Sequence, residues 1–255
     1  QQCFIIDPIK ESSFETKGGS VFVFHPNSFE TEYGFPVIKN IVICVWEFVK
    51  KTDMIFSQLS SSGKNKVLET ASIFYIQGYK GDEKLQIKNN KSFKIYLNRE
   101  EDSDRFKAYY GEVINGNVIW REDKKSYTFL SLLDEGGLPH FESKKENSFR
   151  VLKSANSINQ PLRKTLLLSG KKMGWINCDR IVDIDVPSSL DILLDKVNEE
   201  FTVRLVLNNK NAIIPGLANS NSINHYKFSK VPEGENGYVL AYNCLLYTSP
   251  SPRDF

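Results

Sequence analysis

Short apolar runs, each closed by a turn-forming residue, are the feature that most limits what this chain can become. Val21-Phe22-Val23-Phe24 stops at His25-Pro26-Asn27, because proline has no amide hydrogen to give to a central ladder. From Asn40 to Phe48, Ile41, Ile43 and Val45 fall on one face, and Val42, Cys44, Trp46 and Phe48 on the other. Apolar residues on both faces predict a central strand. Further period-2 runs are Ser72 to Ile76, Leu85 to Ile87, Phe93 to Leu97, Lys107 to Val113 and Val118 to Arg121. Gly81-Asp82, Asn89-Asn90 and Asn115-Gly116-Asn117 separate them. The last predicts a hairpin, since Asn-Gly takes the positive-φ turn that matches strand twist. With 17 Phe, 11 Tyr and 12% aromatic residues overall, the composition favours strands, whose pleated surface suits such side chains. One short helix is expected, from about Thr52 to Leu59, with Thr52 capping its first exposed amides.

Many short strands with turns between them predict an all-β protein of sandwich type rather than an alternating α/β fold. Two sandwich-like units are expected, over 15–121 and 173–243. The stretch 122–172 is polar and turn-rich, with Lys124-Lys125, Gly136-Gly137, Lys144-Lys145-Glu146-Asn147 and Asn156 to Gln160. It reads as a linker holding strands at Ser126 to Leu132 and Phe149 to Leu152. In the second unit, strands are expected around Trp175 to Arg180, Ile181 to Val186, Phe201 to Leu207, Ala212 to Ile214, His225 to Val231 and Tyr238 to Asn243. Leu190, Leu193, Leu194 and Val197 fit a helical face, whereas Leu190, Ile192 and Leu194 fit a strand face. The all-β context decides for a strand.

The chemistry legible in the sequence is sparse. Over 255 residues, 33 Lys+Arg against 31 Asp+Glu leave a net charge of +2, so nothing global draws a nucleic acid or an anionic membrane. The longest apolar runs, such as Ile41 to Trp46, fall far short of the roughly 20 residues that a spanning helix needs. His25, His140 and His225 share no ligand spacing. Gly63-Lys64 and Gly170-Lys171 resemble phosphate loops only superficially, because Gln58 stands where the first glycine belongs and Asn65 follows Lys64. Asp179, Asp183 and Asp185 are hard oxygen ligands of the kind calcium takes, but alternating carboxylates read better as a solvated strand face. No Gly-x-Ser-x-Gly elbow marks a nucleophilic serine. Arg105 to Tyr110 and His225 to Lys230 interleave aromatic and basic residues; a stacking surface and simple in-out alternation both produce that pattern, and the second is preferred. No catalytic, cofactor-binding or metal-binding residue is therefore assigned, no cofactor is expected, and the binding residues are left open.

Gly18-Gly19-Ser20-Val21-Phe22-Val23-Phe24-His25-Pro26-Asn27-Ser28-Phe29 resembles the opening strand of ZU5-like β-sandwich modules in Bacteroidota-type surface proteins. Val42 to Phe48, Thr52 to Ile55, Leu68-Glu69-Thr70, Phe74-Tyr75-Ile76, Tyr110-Gly111-Glu112 and Asn117 to Trp120 follow in the expected order. Met173-Gly174-Trp175-Ile176-Asn177-Cys178-Asp179-Arg180 resembles the signature that opens a second β-rich unit in the same proteins. His25 departs from the pattern, which usually carries an apolar residue before the proline. The resemblance implies a secreted or outer-surface, extracytoplasmic array without catalysis. Its role would be display, spacing or contact with other domains of the same polypeptide or with cell-surface proteins. Two alternatives stand beside it: an accessory module of a surface enzyme, and a glycan-binding module using Trp120, Trp175 or tyrosines. The glycan reading requires Trp120 and Trp175 to be exposed, and burial is expected for both.

Cys244 to Asp254 resembles a translated frame of a transposase-type sequencing adapter. Residues 244–255 are accordingly expected to be a disordered, non-native tail, and the second unit to be incomplete. Without them the cysteines are Cys3, Cys44 and Cys178, an odd and widely spaced set that predicts no disulfide framework. Cys44 and Cys178 are expected to act as small buried hydrophobes.

Overall fold

The computed structural model describes residues 1–63, 66–97, 106–114, 117–122, 127–133, 140–143, 150–153, 164–184, 186–195, 201–219 and 222–243. The chain opens with β1 (Gln2–Ile6), β2 (Ser12–Glu15), β3 (Val21–Phe24), β4 (Phe29–Thr31), β5 (Ile41–Phe48) and α1 (Lys51–Phe56). Then come β6 (Ser62–Gly63), β7 (Lys66–Lys80), β8 (Glu83–Ile87), β9 (Phe93–Leu97), β10 (Phe106–Ile114) and β11 (Asn117–Glu122). β12 (Tyr127–Leu133), β13 (His140–Ser143), β14 (Arg150–Lys153), β15 (Lys164–Gly170) and β16 (Gly174–Ile181) follow. The last strands are β17 (Pro187–Leu193), β18 (Thr202–Leu207), β19 (Ile213–Pro215), β20 (Leu217–Asn219), β21 (Ser222–Pro232) and β22 (Gly237–Tyr242). The protein is all-β, built from several antiparallel sheets. No helix among the described residues is long and apolar enough to cross a membrane.

The chain divides into two compact units. Unit 1 takes Gln1–Glu47, Ser72–Tyr110 and Glu122–Asn177, and unit 2 takes Phe48–Ala71, Gly111–Arg121 and Cys178–Phe255. They interleave along the chain, which differs from the serial ranges 15–121, 122–172 and 173–243. β12 and β15, inside the stretch expected to be a linker, join the sheet order β12-β15-β9-β3-β2. The turn at Asn115-Gly116, Arg105, Lys64, Asp185 and residues 244–255 lie outside the described residues, although β10 and β11 are neighbours in their sheet.

Unit 1 is held by phenylalanine. Phe22 and Phe24 of β3 reach across to the other sheet: Phe22 meets Phe74 of β7 edge-on at 5.5 Å, and Phe24 meets Phe29 of β4 at 5.2 Å. Phe14 of β2 stacks on Phe22 at 5.3 Å and on Phe4 of β1 at 3.9 Å. The opposite sheet is β1-β5-β7-β16-β10, with β8 on β7 and β4 on β8. β5 is flanked by β1 and β7, as its two apolar faces predict. Val21 and Val23 are also buried, so β3 is covered on both faces and is more than a half-buried strand.

Cys44 corrects the cysteine expectation. β1 and β5 are antiparallel with Cys3 opposite Cys44, and the two form a disulfide with Cα atoms 4.1 Å apart. Register, which the spacing of the cysteines does not show, brings them together. Cys178 keeps its thiol, buried on β16.

In unit 2 the sheets β17-β21-β20 and β19-β18-β22 share one apolar cluster, with Val203, Leu205 and Leu207 from β18, Ile214 from β19, and Tyr226 and Phe228 from β21. The segment 190–194 is strand through Leu193, as context predicts. β16 ends at Ile181, so the strand expected from Ile181 to Val186 does not form; Val182 enters the core and Asp183 faces solvent.

The helix is also held differently from expectation. Its N-cap is Lys50, with no side-chain capping bond. Lys51 Nζ donates instead to the carbonyls of Leu207 and Asn208, while Met54 and Ile55 are buried. Burial pushes the Lys51 ammonium below its ordinary range, and the nearby Glu69 carboxylate partly opposes this. Two polar side chains stitch β19 and its approach to the rest of unit 2. Asn211 Nδ2 donates to the carbonyls of Val49 at 3.1 Å and Thr70 at 2.8 Å. Ser61 Oγ accepts the Ile213 amide at 2.5 Å.

Phe22 is fully buried, so Phe22→Ala is expected to cost roughly 3–5 kcal/mol in urea unfolding. A loss under about 1 kcal/mol, the range of minor surface changes, contradicts its central place. Tyr75 provides a pH test. It packs on Trp46 at 5.4 Å and on Trp175 at 5.1 Å. Burial pushes its phenol above the ordinary 10.0, and Tyr79 and Tyr110 push the same way. The folded chain thus holds this proton more tightly than the unfolded one. Its contribution is complete below pH 10.0 and is lost as the pH rises through the higher folded value. Urea midpoints should fall more steeply above pH 10.0 in the native chain than in Y75F; equal slopes contradict the assignment.

Candidate functional site

In unit 1 the connection from β15 to β16 passes near the β7–β8 pair and leaves a cleft of about 500 Å³. Its apolar lining, Leu85, Ile87 and Met173, is almost wholly buried. The polar lining is Gln77 of β7, Gln86 of β8, Asn89 in the following turn, and Lys171 and Lys172. Two ammonium groups and three carboxamides thus line it, and among the described residues no carboxylate or aromatic does.

The polar groups are positioned by their neighbours. Gln77 Nε2 donates to the carbonyls of Gly78 and Leu85, both at 3.0 Å, which fixes the carboxamide. Gln86 Nε2 donates to Glu30 Oε1 at 3.2 Å. Lys172 Nζ lies 3.8 Å from the centroid of the Tyr110 ring, a cation–π seat that limits where a long side chain can go. Two glycines shape the wall. Gly174 has φ +111°, a conformation that residues with a side chain rarely adopt, and a Cβ there would make only ordinary contact, 3.5 Å, with the Tyr110 ring. A Cβ at Gly78 would lie 3.1 Å from Ile43 and 3.4 Å from the Met173 methyl, so its absence lets Met173 settle onto β7.

Unit 2 has a second cleft, of about 420 Å³, with the opposite sign. Asp183, Glu233 and Glu235 line it beside Lys210, and Lys210 Nζ is 2.5 Å from Glu235 Oε1. Elsewhere in unit 2, Arg180 Nε donates to Glu69 Oε2 at 2.9 Å. Both partners are mostly buried, and removing one would strand the other's charge.

The residues singled out from sequence are scattered. His25 Nδ1 lies 3.2 Å from Glu11 Oε2. His225 sits between Asp191, 2.9 Å from Nε2, and Asn219, 3.2 Å from Nδ1. With Asn219 Nδ2 donating to Nδ1, Nε2–H donates to Asp191, and the imidazole ties β17, β21 and β20 together. The His140 backbone pairs with Lys153 in a separate two-stranded sheet. Asp179 is buried whereas Asp183 is exposed. Among the described residues no group of three or more His, Cys, Asp or Glu is disposed to hold a metal. Trp120 and Trp175 are both 3% exposed, and Trp120 Nε1 donates to the Ser60 carbonyl at 2.8 Å. Neither offers a stacking face. In β21, Tyr226 and Phe228 are buried while Lys227 is exposed, which is in-out alternation; in β10, Lys107 is exposed but Phe106, Ala108 and Tyr109 are all buried, so both faces of that strand are partly covered. Sequence reading missed the unit 1 cleft. Its one signal was Lys171, noticed only in Gly170-Lys171 as part of a failed phosphate loop.

Gly174→Ala is expected to cost roughly 1–3 kcal/mol, because a side chain is forced into a disfavoured backbone region. It should also shift the Tyr110 ring signals in NMR, as the strained backbone at 174 moves beside the ring. Unchanged signals with an unchanged unfolding midpoint contradict this view of the cleft wall.

No family model matches the chain, and neither a curated protein nor a solved structure matches it.

Proposed function

We propose that this chain is a non-enzymatic structural or binding module of a secreted or outer-surface bacterial protein, acting through contact with other proteins or domains. The observation that carries the reading is the Cys3–Cys44 disulfide. Such bonds persist in oxidising, extracytoplasmic compartments and are rare where thiols are kept reduced. The ordered motifs that resemble a ZU5-like module point the same way. A cross-link between β1 and β5 also suits a protein exposed to proteases, since it restrains the unfolded chain as well as the folded one. The burial of Trp120 and Trp175 turns attention from aromatic stacking to polar loops and clefts as the contact surface. Loops on a rigid sandwich are the usual carriers of recognition.

The test is alkylation in intact source cells followed by peptide mapping without reduction. Cys3 and Cys44 should resist labelling and be recovered linked, and protease added outside the cells should cleave the protein. Freely alkylated Cys3 and Cys44 with the chain protected from external protease contradict the proposal.

A further inference from the structure

We infer that the unit 1 cleft binds an acidic peptide segment of a partner protein, with Lys171 and Lys172 pairing its carboxylates and Gln77, Gln86 and Asn89 bonding its backbone. The inference deepens the binding-module reading and rests on it. Charge comes first: among the described residues two lysines and no carboxylate line the cleft, and the Glu30 carboxylate beside it is bonded to Gln86, so the lining is net positive and an anion is favoured over a cation. The carboxamides come second. A carboxamide carries both a donor and an acceptor, the same pairing that a peptide group presents in return. Gln77 already spends its NH₂ on two carbonyls, and Gln86 spends its own on Glu30 Oε1 and the Thr31 carbonyl, which leaves the Oε1 of each as the acceptor for a ligand N–H. The apolar groups Leu85, Ile87 and Met173 suit the aliphatic part of a glutamate or its neighbour.

The main competing occupant is an acidic sugar. Saccharide rings are commonly held against an aromatic face, and among the described residues no aromatic lines the cleft. Tyr110, next to the cleft wall, has its ring covered by Lys172. At about 500 Å³ the cleft is of ordinary ligand-site size, room for a few residues of an extended peptide. The opening is a polar recess, so affinity depends on charge and should weaken as salt rises.

The experiment is an NMR titration of the full chain, reading the side-chain amide signals of Gln77, Gln86 and Asn89. The probes are a capped Glu-Gly-Glu-Gly-Glu peptide, a capped Lys-Gly-Lys-Gly-Lys peptide and glucuronate. The glutamate peptide should shift all three amides saturably and the lysine peptide should not. K171A/K172A should bind about tenfold more weakly, the scale of one charge-assisted hydrogen bond, while K171R/K172R keeps binding. Both lysines are exposed, so neither variant is expected to disturb folding, and an unchanged thermal midpoint verifies this. Lack of saturation, equal binding of K171A/K172A, loss of binding in K171R/K172R, or glucuronate binding as tight as the peptide each overturns the inference. A negative titration on a protein whose Cys3–Cys44 bond is formed outside the cell removes the cleft proposal alone. Reduced cysteines inside the cell remove the module reading instead.

Discussion

Everything placed in unit 1 depends on the phenylalanine contacts that join its two sheets. Phe22 and Phe24 stand two apart on β3 and therefore point the same way. From there they touch Phe74 and Phe29 on the facing sheet and Phe14 and Phe93 on their own. Offset and edge-on ring pairs of this kind add about 0.5–1.5 kcal/mol each beyond their buried area. Phe74 fixes β7 against this core, and the same strand carries Tyr75, Gln77 and Gly78. The cleft is thus set on a rigid strand, and Gln77 owes its position to the packing of a residue three places before it.

Unit 2 has fewer aromatics and relies more on polar ties. Its two small sheets share a mainly aliphatic core around Tyr226 and Phe228, and side chains hold the chain around it: Asn211 on Val49 and Thr70, Ser61 on Ile213, and Lys51 on Leu207 and Asn208. These bonds explain how a helix of six residues, too short to persist alone in water, stays in place. They also explain why an uncapped Lys50 is tolerated. The Lys51 ammonium bonds to the end of β18 from the first turn of the helix, at the cost of partial desolvation that lowers its proton affinity.

The sequence showed strands well wherever alternation was strong. β3, β5 and β9 lie where Val21 to Phe24, Ile41 to Phe48 and Phe93 to Leu97 place them, because in-out patterning is a local property. β15 escaped notice, since Lys164 to Gly170 follows a polar stretch that read as a linker. Non-local features were not legible. The Cys3–Cys44 bond joins residues 41 apart through a strand register that no spacing rule encodes. The cleft gathers residues from β7, β8, the turn after it and the 171–173 connection, and each polar member looks like an ordinary surface group in its own segment. The interleaving of the two units is likewise a matter of pairing between distant strands. The burial of Trp120 and Trp175 and the His225 tie were partly foreseeable, in that a lone imidazole or indole is more often structural than catalytic.

Native-state amide hydrogen exchange, before and after reduction of the disulfide, tests the central claim that the phenylalanine core anchors unit 1 and that the disulfide secures its edge. β3 and β9 amides should be the slowest in unit 1 and should open only with global unfolding. On reduction, β1 amides should exchange faster while those of β3 stay protected. Amides of β3 that exchange as fast as those of β1 in the oxidised protein would contradict the account.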